Sequence, residues 1–285
     1  MIKNTIAMML AIVLSGSTIV RATTNNTDAG EYALRTINTA STNIATTSLQ
    51  TNSQKLIDLT TTMHIALEQE RQRVEELIAI KQAEIDSVIA ENSRKNNATF
   101  NAYDVTQVTG LTANELYQTL SGFKNGVLAK FAWVLKDCED IYGINAFFLA
   151  ALIAQESGWV TSDRALYQNN LTGHAVYNNA AAGTTFNSQE ESIYNTAKLL
   201  RNNYLTQGGS NYHGTSIWNV NTDYCLTQDS SSTDYNWSSN ISSIANDFNR
   251  YYHNNIKTLI DVPVMDINMD EMLNAKRQEI LEAAF

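Results

Sequence analysis

The sequence holds little of what several common protein classes require. Cysteine occurs twice, as Cys138 and Cys225, in no CxxC or Cys/His ligand spacing. Two are too few for a disulfide framework and leave either a single bridge or two buried thiols. The four histidines are scattered and no HExxH pattern occurs, so no metal site is expected. GxSxG, P-loop and Rossmann fingerprints are missing as well, which removes nucleophilic-serine and nucleotide chemistry and leaves no cofactor to expect. Basic residues are in deficit: 19 Lys and Arg against 29 Asp and Glu give a formal charge of −10, with no Lys/Arg run. The electrostatic footprint of a nucleic-acid partner is therefore absent, and charge alone would not hold the chain to an anionic surface.

What is present fits one enzyme-sized domain with accessory segments: 285 residues, 44% of them apolar. Residues 1–22 begin with Lys3, continue as an apolar run and end in Val20-Arg21-Ala22. They read as a secretory signal or, alternatively, as a short membrane-active segment, the only place where membrane contact is expected. Residues 23–50 are rich in Thr, Asn, Ser and Ala and read as a linker or a loosely helical lead-in. From Leu49 to Lys95 there is neither Pro nor Gly, and charges interleave with Leu56, Leu59, Met63, Leu67, Val74, Leu77, Ile78, Ile85, Val88 and Ile89. That spacing predicts a long amphipathic helix with an imperfect coiled-coil seam. Self-association through residues 50–95 is one reading of it, and packing on the following domain is the other.

The polar break Asn96-Asn97-Ala98-Thr99 sets a domain boundary near residue 100. Beyond it the punctuation is helical. Thr112 and Glu115 form a capping box, Gly143 follows an apolar helix face of Val127, Phe131, Val134, Leu135 and Cys138, and Ser188 with Glu191 reads as a second capping box. A last domain helix is expected from Ser238 to Tyr252, burying Ile241, Ile244, Ala245 and Phe248. Residues 207–237 are polar, studded with aromatics, and give no strong strand signal. The tail, 254–285, holds the only proline, Pro263, and a short acidic helix.

The chemistry concentrates on Ile144 to Gly173. Leu149, Leu152 and Ile153 recur at i, i+3 and i+4, and Glu156 falls at i+7, so a carboxylate continues the stripe that faces the core. Asn145 reads as the N-cap and Gly158 as the stop, which puts Glu156 in the last turn, near the negative pole of the helix dipole. Low dielectric and that pole both disfavour the ionised form, as a general acid requires.

Residues 101–253 resemble the glucosaminidase domain of glycoside hydrolase family 73, found in bacterial autolysins and phage wall-degrading proteins. The resemblance runs through Leu111-Thr112-Ala113, Tyr142-Gly143-Ile144-Asn145, Ala150 to Trp159 with Gln155-Glu156-Ser157, Asn169 to Gly173, Phe186-Asn187-Ser188 with Glu190-Glu191, and loosely Tyr224 and Tyr235-Asn236-Trp237. It implies a lysozyme-like α+β fold, predominantly helical, with a sugar groove between two lobes. The implied partner is the glycan strand of peptidoglycan, and the implied reaction is hydrolysis of the β-1,4 bond on the reducing side of N-acetylglucosamine. Location would then be secreted, at the cell wall, or in a virion.

Glu156 matches the family's catalytic acid and Tyr224 its groove tyrosine. Trp159, Tyr177, Tyr235 and Trp237 offer flat ring faces for pyranose units, while Asn170 and Gly173 are expected to shape the groove wall, the amide serving an N-acetyl group. A second carboxylate is poorly supplied: Glu190, Glu191 and Asp163 are candidates, with substrate-assisted attack by the acetamido group as the alternative. Two further readings compete, a lytic transglycosylase or muramidase of the same fold and a phage-tail or conjugation component carrying a wall-degrading domain.

Overall fold

The structure is a computed structural model that describes residues 27–175, 183–225 and 235–284. It is predominantly helical, and among the described residues no strand forms, so any β part of the expected α+β fold is not among them. The described residues fall into two compact units, 27–79 with 266–284, and those between 80 and 265. The expectation for residues 1–22 lies outside the described residues.

The first unit is built on α1 (Thr27–Asn97), whose last turns belong to the second unit, and on α9 (Met269–Ala284). Residues 27–50, expected as linker or loose lead-in, are part of α1. Thr is a poor helix former because it is β-branched. Here its hydroxyls fold back onto the carbonyl one turn earlier, Thr39 on Arg35, Thr42 on Asn38, Thr46 on Thr42, Thr47 on Asn43 and Thr51 on Thr47, at 2.7–2.9 Å. That satisfies the side chain without an apolar face. In the later part Val74 is fully buried, whereas Leu56, Ile57 and Ile65 stay half exposed or more.

The second unit centres on α4 (Ala146–Ser157), which has Ala146 to Ala154 buried on all sides. A helix apolar all round can only sit inside a core. Phe147, Phe148, Leu149, Leu152 and Ile153 each contribute about 1.5–3 kcal/mol by leaving water. Around α4 lie α3 (Ala132–Tyr142) and α8 (Tyr235–Tyr251), and α2 (Ala113–Ser121) packs on α3. A short α5 (Asp163–Tyr167), α6 (Gln189–Leu199) and α7 (Ile217–Tyr224) complete the unit.

The termini of these helices follow local chemistry. Thr112 and Glu115 form the expected capping box on α2. The Oδ1 of Asn145 accepts the Phe147 and Phe148 N–H groups, while its Nδ2 donates to the Thr99 and Gln107 carbonyls. Gly143 and Gly158 end α3 and α4 at φ 58°, the left-handed stop that glycine adopts without strain. Helix α8 starts at Tyr235, three residues before the expected Ser238, which places Trp237 inside its first turn. At α6 the Ser188 hydroxyl accepts the Glu191 N–H, but the Glu191 carboxylate reaches past it to the Asn187 N–H at 2.8 Å, so only half of the expected capping box forms. The second unit is wider than residues 101–253: Asn92 exchanges two hydrogen bonds with Ile260, and Lys95 donates to the Thr258 carbonyl.

Candidate active site

Glu156 sits in the last turn of α4 on a stripe whose other members, Leu149, Leu152 and Ile153, have no exposure. Its side chain is partly open to solvent, and the surrounding protein raises its carboxyl above the ordinary value through burial. One group opposes that rise, the indole of Trp237, whose Nε1–H donates to Oε1 at 2.5 Å. Gly173 lies against the other oxygen: a Cβ added there would stand 3.7 Å from Oε2, and its φ of +66° is glycine's conformation.

An aromatic series continues from the indole. Trp237 meets Tyr224 at a ring-centroid distance of 5.2 Å, and Tyr224 meets Tyr204 at 5.6 Å. Tyr204 is presented by a wider π-helical turn, Leu200–Tyr204, that extends α6. Burial drives the Tyr224 hydroxyl well above its ordinary pKa, and the neighbouring Glu156 and Tyr204 push the same way, so it is a neutral donor. Thr172 bonds that hydroxyl and shares a 2.6 Å contact with the hydroxyl of buried Thr196. Glu156, Tyr224, Gly173 and Trp237, separated by up to 81 positions, thus form one cluster.

Other expected residues occupy different roles. Trp237 is buried, at 3% exposure, so it offers no open ring face to a sugar; it is the hydrogen-bond donor to Glu156 instead. Asn170 is buried and spends its amide internally: Nδ2 donates to the His174 and Thr184 carbonyls and Oδ1 accepts the His174 N–H, so it holds the loop rather than an N-acetyl group. Trp159 is half-buried, with its ring edge-on to Phe248 at 6.2 Å and the Lys124 ammonium 5.9 Å from its centroid. Tyr177 and the side chain of Tyr235 lie outside the described residues. Asp163 and Glu190 are exposed, and Glu191 is bonded to Asn187 by both backbone and side chain. Cys138 and Cys225 form no disulfide.

Glu139 was not anticipated. It is 1% exposed, and its carboxylate accepts from the Thr109 N–H, the Thr109 hydroxyl, the Gly110 N–H and the Ala146 N–H at 2.7–3.0 Å. The signal was available: Leu135, Cys138, Glu139 and Tyr142 fall at i, i+3, i+4 and i+7, the pattern that singles out Glu156. Thr172, in the loop after α5, left no such trace, because its partner Thr196 is 24 residues away on α6.

A buried-edge carboxyl bonded by the Trp237 indole lies beside a neutral tyrosine on a helical scaffold. Residues 132–250 match the family model described as Glucosaminidase, mannosyl-glycoprotein endo-beta-N-acetylglucosaminidase. Two proteins of Streptococcus pneumoniae, from serotype 4 and from strain R6, are similar to this chain, and both are provisionally named endo-beta-N-acetylglucosaminidase. Each is 30% identical over 125 residues, a stretch that covers 42% of this chain and 19% and 18% of the respective relatives. The chain thus matches less than a fifth of either relative's length.

Proposed function

We propose that the protein is a peptidoglycan hydrolase, an endo-β-N-acetylglucosaminidase with Glu156 as general acid. The observation that carries the reading is the setting of Glu156: a partly accessible carboxyl whose pKa burial raises, with Gly173 leaving space at one oxygen. In the reaction its proton passes to the glycosidic oxygen as the C1–O bond breaks, and positive charge develops on the sugar ring. The described carboxylates Asp163, Glu190 and Glu191 face solvent or Asn187, which favours attack on the anomeric carbon by the substrate's own acetamido oxygen. Water then opens that intermediate, with the Glu156 carboxylate taking its proton. Tyr224 supplies a neutral hydroxyl to the same sugar.

Digestion of purified peptidoglycan by wild type and Glu156→Gln, read by mass spectrometry, tests the assignment. Reducing N-acetylglucosamine ends from wild type alone are expected. Full activity of the variant would end the assignment, and 1,6-anhydro ends would make the domain a transglycosylase. A high-mannose glycoprotein run in parallel separates a cell-wall substrate from the one in the family description. Retention of anomeric configuration is expected; inversion would exclude the acetamido route.

We also infer that residues 50–95 carry a self-association surface, supported by Leu56, Ile57, Ile65, Ile80 and Ile89, all at least half exposed. Sedimentation of the full chain showing monomer at every concentration would refute it. Action outside the cell, at its wall, follows from the substrate, and residues 1–22 are the proposed export or membrane-active segment.

A further inference from the structure

The indole of Trp237 has one polar hydrogen, and it points at Oε1 of Glu156. Indole nitrogen donates and does not accept. In a protonated carboxyl the carbonyl oxygen is the better acceptor, so the oxygen facing the indole is the carbonyl and the acidic proton sits on the other. That other oxygen, Oε2, is the one beside Gly173, where the missing side chain leaves room. The indole is itself held: it is buried, lies in the first turn of α8 and packs on Tyr224, which packs on Tyr204.

We propose that Trp237 is a positioning residue that fixes Oε1 as the accepting oxygen and thereby assigns Oε2, beside Gly173, as the atom that hands its proton to the scissile glycosidic oxygen. The assignment rests on Glu156 being the general acid. In that step the Oε2–H bond breaks as a bond from the proton to the glycosidic oxygen forms, the C1–O pair moves onto that oxygen, and Glu156 is left as a carboxylate. A hydrogen bond to an ionised acceptor is stronger than one to a neutral acceptor, so the indole N–H tightens as the carboxylate forms. It therefore assists the transition state more than the resting acid. Besides burial, the influence on this carboxyl comes from Trp237 of α8, and among the described residues the titratable group facing it is Tyr224 of α7.

The test uses the full chain in four forms: wild type and Trp237→Phe, each grown with ordinary tryptophan and with 5-fluorotryptophan, whose N–H is the stronger donor. The readouts are the pH profile of kcat/KM on purified peptidoglycan and a carbon-13 NMR titration of the Glu156 carboxyl without substrate. Loss of the indole should move the alkaline limb and the titration up by about one pH unit, with kcat down roughly tenfold. Fluorination should move both the other way, and should do nothing in Trp237→Phe. The fluorinated chain keeps its packing, so it reads the bond even where the phenylalanine variant does not fold. A fall in kcat with an unmoved limb and titration would overturn the proposal and leave the indole a packing residue. A shifted titration beside a fully active Glu156→Gln would instead overturn the general-acid reading beneath it.

Discussion

Helix α4 has a carboxyl group at each end, and the two are treated in opposite ways. At the N-terminal end Glu139, reaching over from α3, is fully buried and accepts four hydrogen bonds, one from the first residue of α4, Ala146. It meets the positive pole of the helix and has every donor an anion needs. At the C-terminal end Glu156 is partly exposed, meets the negative pole and receives, among the described residues, one donor, Trp237. The pKa of its carboxyl rises, because burial outweighs that donor. Burial therefore does not by itself mark a reactive acid; the deficit of donors does. Saturated, the group is a structural bolt. Undersupplied, it is the carboxyl that the proposed reaction would use as its acid.

The largest expected effect falls on Glu156. Replacing it by Gln should lower glycan cleavage at least about 10²-fold, measured as reducing ends released from purified peptidoglycan. Stability should move the other way, with a defined sign. The folded pKa lies above the unfolded value, so the stabilisation is complete below the unfolded pKa and is lost as pH rises through the folded one. Urea titrations should show Glu156→Gln equal to wild type well below the ordinary value of 4.5 and more stable than wild type above neutrality.

Glu139→Gln should do the reverse, losing about 2–4 kcal/mol in urea denaturation because an amide NH2 would confront the donors of Thr109, Gly110 and Ala146. Activity per folded molecule should survive; its loss without a loss of stability would break the contrast. Asn170→Ala tests whether saturation means structure in a neutral group, with about 1–3 kcal/mol expected from three loop bonds. The smallest effect belongs to Arg250→Ala, which removes an exposed i,i+3 pair with Asp247 and should stay within about 0.5 kcal/mol by thermal melting.

How much was legible follows from the range of the interactions. The Thr112 box, the Asn145 cap, the glycine stops and the placement of Glu156 are written within a few residues, and the structure reproduces each. Helix α7 escaped notice because its capping box uses Asn219 behind Ser216, where Glu or Gln is the usual partner. For Trp237 composition gives the aromatic face but not its direction, so sugar platform and core stay open in the sequence; only the fold, across 81 positions, turns the N–H toward Glu156. Asn170 failed similarly: its amide is sequence, but the carbonyls it satisfies are brought by a loop that closes 14 residues later.

The threonine ladder in α1 has an electrical corollary. Between Arg35 and Lys55 the helix carries no charged side chain, and the hydroxyls of Thr39, Thr42, Thr46, Thr47 and Thr51 are bonded to its own backbone. Ion pairs and charged caps weaken as counterions gather, whereas hydroxyl-to-carbonyl bonds offer salt nothing to screen. This stretch should keep the same ellipticity from dilute buffer to molar salt, a rod indifferent to ionic strength in a chain of net charge −10.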